Sequence, residues 1–250
     1  MDDDIARPMN PMLHADSLTW RHRSERVLTS ATLRVGPGQI VALLGRMGSG
    51  KSTLLNICAG LLASDSGWVR LNGKLYVRPR LAQMAGQGLF YLSEGQNLVP
   101  SLRLQEHFDA VQFRFGRGDC VSAIESLRLS NLLSQRARTY SPGECRRAEI
   151  ALALVRNPTC LIVDEVFRGI DPIAVELIGE SLRTLASQGC AIVVSGHEMR
   201  AILPYADTVT WVTAGTTYDL GGVSEALRNQ NFRREYLGTV GSDEIGSGQP

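Results

Sequence analysis

Four short apolar runs, each closing on polar residues, organise this chain: QIVALLG (39–45), TCLIVDE (159–165), CAIVVSG (190–196) and DTVTWVT (207–213). Runs this short, apolar without alternation, read as strands buried on both faces of a parallel sheet. Between the second and third, DPIAVELIGESLRTLASQG (171–189) sets apolar residues at helical spacing, with Pro172 in the first turn and Gly189 at the end. Strands alternating with helices predict an α/β layered fold with a largely parallel sheet. From about 97 to 156 the pattern changes. LRLQEHFDAVQFRF (102–115), CVSAIESLRLSNLL (120–133) and GECRRAEIALALVRN (143–157) are helical with no strand between them, which predicts a helical insertion. The closing GSDEIGSGQP (241–250) is expected to be disordered.

Composition narrows the function classes. The 250 residues are 44% hydrophobic and 20% charged, with a net charge of +1, so nothing marks a nucleic-acid-binding surface. The longest apolar runs, such as 150–155, are far too short to cross a bilayer. The opening MDDDIARPMNPM is acidic where a secretory leader is basic. Cysteines 58, 120, 145, 160 and 190 are scattered without a CxxC pair, as expected of thiols in a reducing compartment. A cytoplasmic protein is expected.

Gly45-Arg46-Met47-Gly48-Ser49-Gly50-Lys51-Ser52 fits G-x(4)-G-K-[ST] and is followed by Thr53. The match ends a predicted strand and opens a helix, the context its chemistry needs. Glycines let backbone N–H groups wrap phosphates, and the helix N-terminus adds its positive dipole. Lys51 is expected to reach the β- and γ-phosphates of ATP, and Ser52 to hold Mg²⁺. Asp164 and Glu165 close the 159–165 strand. Such a pair serves equally to cap a neighbouring helix. Beside a phosphate loop, Asp164 is expected to support magnesium and Glu165 to polarise the attacking water. His197 ends the next strand, where a γ-phosphate contact is expected. One stretch, TYSPGECRR (139–147), runs a Ser-Pro-Gly turn into a basic helix; by itself it reads as a helix cap and a solvated face.

In order, the phosphate loop, YSPGECRR, LIVDE, RGID and SGHE resemble an ABC-transporter ATPase subunit over roughly residues 13–238. GECRRAEIALALVRNP, FRGIDPIAV and NFRREYLG are most similar to the branched-chain amino-acid and lipopolysaccharide-export branch. The resemblance implies a P-loop NTPase core with an N-terminal antiparallel β portion, and it makes 97–156 the inserted helical subdomain between flexible tails, 1–12 and 239–250. YSPGE then stands at the family's LSGGQ signature: Ser141, Gly143 and Glu144 of one subunit close over the ATP held by Lys51 of another. Asp171 belongs to the loop that communicates across the dimer. Glu94 takes the Q-loop position and joins Ser52 and Asp164 as a metal ligand, and His22 or Trp20 stacks on adenine. Pro142, Tyr140 and Val166 depart from the pattern, standing where the family has glycine, leucine and proline.

The function implied is a subunit, peripheral on the inner face of the membrane, that forms a homodimer or heterodimer around ATP. Its hydrolysis drives a separate membrane-spanning partner. Two alternatives remain open: a soluble ABC ATPase such as one serving iron–sulfur assembly, and a weakly active nucleotide-binding regulatory subunit.

Overall fold

The computed structural model describes residues 11–95, 97–116 and 118–236. Apart from residues 11 and 12, the expected tails lie outside the described residues, as does the end of the expected 13–238 domain.

The strands are β1 (Leu13–His22), β2 (Glu25–Val35), β3 (Ile40–Leu44), β4 (Ser66–Leu71), β5 (Lys74–Tyr76), β6 (Leu89–Leu92), β7 (Cys160–Val163), β8 (Ala191–Gly196), β9 (Thr208–Thr213) and β10 (Thr216–Gly222). They form one sheet in the order β5-β4-β1-β2-β10-β9-β3-β8-β7-β6. The segment β9-β3-β8-β7-β6 is parallel, while β1, β2, β4 and β5 pair antiparallel, as do β9 and β10. The two halves join through a single parallel pairing, Thr216 with Ser30.

All four strands expected from the apolar runs are present. Their residues divide by parity, because successive side chains point to opposite faces. Ile40, Ala42 and Leu44 enter one core with Leu161, Val163, Ile192 and Val194. Val41 and Leu43 enter a second with Cys160, Ile162, Ala191 and Val193. Both faces are covered, which is why these strands read as unbroken apolar runs rather than alternating ones.

Helices α1 (Lys51–Ala59), α2 (Leu81–Gly86), α3 (Leu104–Phe115), α4 (Cys120–Ser126), α5 (Pro142–Arg156), α6 (Pro172–Ser187), α7 (Met199–Ile202), α8 (Val223–Arg228) and α9 (Gln230–Tyr236) complete the architecture. Helix α1 lies in the second core, between the parallel strands and the antiparallel portion, through Leu54, Leu55 and Ile57. Helix α6 covers the other face with Ile178, Leu182 and Leu185. Each such buried side chain contributes about 1.5–3 kcal/mol. Asp171 caps α6, its carboxylate accepting the Ala174 N–H at 2.9 Å, and Gly189 follows the helix at φ 94.

The helical stretch enters between β6 and β7, which pair directly, Leu89 opposite Cys160. Its Leu104, Phe108, Leu127, Leu129 and Leu132 join the first core through α5, so the insertion shares that core. One expectation is corrected in detail. The 120–133 helix stops at Ser126, Arg128 takes φ 52, and Ser130–Leu132 form a single 3₁₀ turn. An unbroken helix would spread Leu127, Leu129 and Leu132 around its circumference; the break lets all three bury.

The five cysteines form no disulfide among the described residues. Burial pushes the thiols of Cys58 and Cys190 up to about 12, which makes them packing groups rather than nucleophiles.

Candidate nucleotide site

The phosphate loop joins β3 to α1, and its conformation follows from its glycines. Gly50 has φ 104, and a Cβ there would sit 2.8 Å from Leu28 Cδ2, so a side chain would meet both strain and the antiparallel portion. No side chain caps the N-terminus of α1, which leaves its first-turn N–H groups for an anion. Ser49 Oγ is buried with no hydrogen-bond partner. Lys51, 5% exposed, holds its Nζ 2.8 Å from the Gly45 carbonyl and 3.2 Å from that of Arg46. An uncapped helix end, an unpartnered hydroxyl and a buried ammonium on backbone carbonyls together fit a polyphosphate. A cavity of about 320 Å³ opens here, lined by Met47, Gly48, Gly50, Lys51, Ser52 and Thr53 together with Glu94, Glu165, Arg168 and His197.

Asp164 follows β7 directly and is 1% exposed; its carboxylate accepts the Ser195 hydroxyl from β8. The same serine accepts the Glu165 N–H at its Oγ (3.2 Å), and its carbonyl lies 3.1 Å from that N–H. This brace holds Glu165 at φ 53, a costly conformation for a non-glycine residue. The Glu165 carboxylate is thereby set between Lys51 Nζ (3.6 Å) and His197 Nδ1 (2.9 Å). His197 also faces Glu198, 3.8 Å from Nε2. Ser195, absent from the sequence reading, had one signal available: a hydroxyl inside an apolar strand must find a partner.

Glu94 lines this cavity, but its carboxylate is paired with Arg168 and both side chains are about half exposed. Of the expected magnesium ligands, only Ser52 and Glu94 line the cavity; Asp164 lies beneath them. The loop around Glu94 is tied to α5 by Arg146, whose guanidinium donates to the carbonyls of Ser93 (3.0 Å) and Glu94 and to Glu149 (2.7 Å). Glu149 is 1% exposed and also accepts the Asn97 N–H at 2.8 Å. A glutamate directly ahead of the apolar run IALALV (150–155) of α5 was the legible sign of this network, since carboxylates are rarely fully buried unless paired.

At the start of α5, Ser141 is the N-cap (φ −65, ψ 162), and Pro142 takes the first helical position. Ser141 Oγ accepts the Glu144 N–H at 3.3 Å, and Glu144 accepts the Ser141 N–H at 2.8 Å, completing a capping box. The cap reading is therefore correct as far as it goes, and Glu144 spends its carboxylate there. Gly143 meets the Asp171 loop: a Cβ would stand 3.2 Å from Asp171 Oδ2. Pro142 removes one N–H at this edge, worth about 0.5–1.5 kcal/mol where it contacts phosphate. Pro142→Gly is expected to raise ATP turnover by less than about tenfold. Steady-state rates check this, with thermal unfolding reading separately the stability lost with a fixed φ.

Neither expected adenine platform lines the phosphate cavity, where Val27 does. Trp20 is half-buried against the second core, and His22 is exposed, their ring centroids 5.8 Å apart. Packing uses the larger ring and leaves His22 the more available.

Residues 28–168, more than half of the chain, match the family model for ABC transporters. The chain belongs to the ABC transporter ATP-binding family. The cassette is 33% identical to an uncharacterized ABC transporter ATP-binding protein of Rhizobium meliloti, over 90% of this chain and 86% of that protein. It is 29% identical to the lipopolysaccharide export system ATP-binding protein of Haemophilus influenzae, over 91% and 97%. A solved ATP-binding subunit of an ABC transporter superposes with a TM-score of 0.78 at 26% identity, covering 90% and 96% of the two chains. A dimeric cassette in a post-hydrolysis state bound to ADP and Pi matches the fold, with a TM-score of 0.72 at 22% identity, over 84% and 100%. The chain is thus a cassette of an ATP-hydrolysing family.

Proposed function

We propose that residues 13–238 form one ATPase domain, with 97–156 as its helical subdomain, and that two such domains close head to tail around ATP. The observation that carries this reading is the separation of the two half-sites. Among the described residues, none of Ser141, Gly143 and Glu144 lines the phosphate cavity, whereas Ser141 and Asp171 stand exposed at the surface. Met47 of the phosphate loop is 80% exposed, an apolar side chain suited to a subunit seam. That the solved cassette bound to ADP and Pi is dimeric supports pairing of two such domains.

In this reading Lys51 exchanges the carbonyls of Gly45 and Arg46 for the β- and γ-phosphates. Ser52, Asp164 and Glu94 would hold Mg²⁺, an oxygen donor set that suits a hard cation. A bound Mg²⁺ would supply neutralisation of the phosphate charge. Glu165, oriented by His197, polarises the attacking water, and His197 then faces the γ-phosphate. Ser141 and the Gly143 N–H of the second subunit complete the cradle, and His22 or Trp20 stacks on adenine.

Hydrolysis is proposed to drive a separate membrane-spanning subunit, with the cassette peripheral on the cytoplasmic face. Among the described residues no helix is long and apolar enough to cross a membrane. The name of the Haemophilus influenzae relative points the same way. The docking surface is the Glu94 loop with the helical subdomain, where a cavity of about 500 Å³ is lined by Glu94, Tyr140, Pro142, Cys145, Arg146 and Arg168. The test is purification from detergent-solubilised membranes. A polytopic partner is expected to co-purify, and recovery with soluble partners alone would overturn the transport reading. Glu94→Arg is expected to abolish stimulation by that partner while changing the affinity for metal-free ADP, which needs no metal ligand, by less than about fivefold, the worth of a half-exposed ion pair. Equal loss of both would argue against coupling through Glu94.

A further inference from the structure

Helix α9 reaches the phosphate loop from a side that the five motifs do not touch. Tyr236 ends α9, its ring tilted on Phe232 (centroids 5.2 Å), which is fully buried and meets Trp211 edge-on. The phenol oxygen accepts the Gly45 N–H at 2.8 Å. Gly45 lies just past β3, so this N–H finds a side chain where a strand residue would find its neighbour's carbonyl. The phenol proton faces the carbonyls of Gly45 at 2.9 Å and Gly196 at 3.3 Å. Gly45 opens the phosphate loop and Gly196 precedes His197, so one hydroxyl joins both ends of the site. Arg46 adds a second tie, its Nη2 and Nε donating to the Glu235 carbonyl at 2.8 and 3.2 Å. Thr213 of β9 holds the Glu235 carboxylate at 3.1 Å.

We propose that Tyr236 is a positioning residue for the phosphate loop, bracing Gly45 so that Lys51 can leave its carbonyl for the phosphates. The inference rests on the nucleotide reading above. Lys51 Nζ and the Tyr236 hydroxyl share the Gly45 carbonyl. When the ammonium turns to a phosphate, a carbonyl without another donor would be left unsatisfied in a buried position, at a cost that opposes binding. Tyr236 supplies that donor. Burial pushes its phenol up to about 12, so it keeps its proton throughout the physiological range. The brace acts on the loop rather than on the attacking water, so its loss weakens nucleotide binding without slowing the chemical step.

The test is Tyr236→Phe in the full chain, which keeps the ring and removes the hydroxyl. Calorimetry with Mg-ADP is expected to show affinity weakened about three- to tenfold, the worth of one buried hydrogen bond. The KM for ATP should rise by the same factor, with kcat within about twofold of wild type. A purely structural role would instead lower the folded, active fraction: kcat would fall with KM and affinity unchanged. That result, or a folded variant with wild-type affinity and KM, overturns the proposal. Amide exchange in the wild-type protein gives an independent reading should the variant fail to fold. The Gly45 amide is expected to be protected, and a freely exchanging one overturns the brace. Failure of the wild-type protein to bind Mg-ADP would sink the nucleotide reading itself, which separates the two.

Discussion

Lys51→Ala is expected to lose tight ATP binding. The wild-type ammonium is buried and already held on the Gly45 and Arg46 carbonyls, facing Glu165 at 3.6 Å. Turning to the β- and γ-phosphates, it makes two charge-assisted hydrogen bonds, each worth about 1.5–3 kcal/mol. Their loss comes to about 3–6 kcal/mol, on the order of 10²–10⁴-fold in Kd. Alanine also leaves Glu165 without its nearest lysine, so the carboxylate then faces the incoming phosphates uncompensated. Titration calorimetry on the folded variant, with thermal unfolding as the control, measures the effect. Unchanged affinity would remove the phosphate-loop assignment and everything built on it.

Glu165→Gln is expected to keep ATP bound and to slow hydrolysis about 10²–10⁴-fold, the usual contribution of a general base. The amide preserves the shape between Lys51 and His197 but cannot take up a proton. It also removes a negative charge close to the γ-phosphate, so nucleotide affinity should hold or rise. Bound but uncleaved ATP then keeps the two half-sites together. Light scattering should show a dimer with ATP and monomer with ADP. A variant that turns over at the wild-type rate would make Glu165 a structural residue, its unusual backbone conformation serving only the turn after β7.

The strands and helices that were legible beforehand are those whose signals lie within a few residues of one another. QIVALLG and its three counterparts announced a doubly covered sheet because each strand must bury both parities of side chain. Pro172 and Gly189 bracketed α6 because a fixed φ and a free positive φ are local properties. The capping box at Ser141 and Glu144 spans only four residues. β10, α8 and α9 carried no comparable pattern. β10 has no buried residue and contains Gly221 and Gly222, so neither alternation nor propensity marks it. The two short helices are held by the side chains they bury, Ala226 of α8 and Phe232 of α9, rather than by intrinsic helicity.

The same division runs through the site. By itself the sequence determined the phosphate loop, the Asp164-Glu165 pair at a strand end, His197 one strand over and the N-cap at Ser141. Each of these depends on residue type and short spacing, which chain connectivity imposes before folding. Only the tertiary structure decided that Ser195 would brace Asp164 across 31 residues, that Arg168 would take Glu94 across 74, and that Tyr236 would reach Gly45 across 191. It also decided that Trp20 would pack while His22 stays exposed. Partners so far apart meet only when the sheet order and the two cores bring their backbones within hydrogen-bond reach. A tyrosine near a chain's end therefore has the same local sequence whether it braces a phosphate loop or faces water.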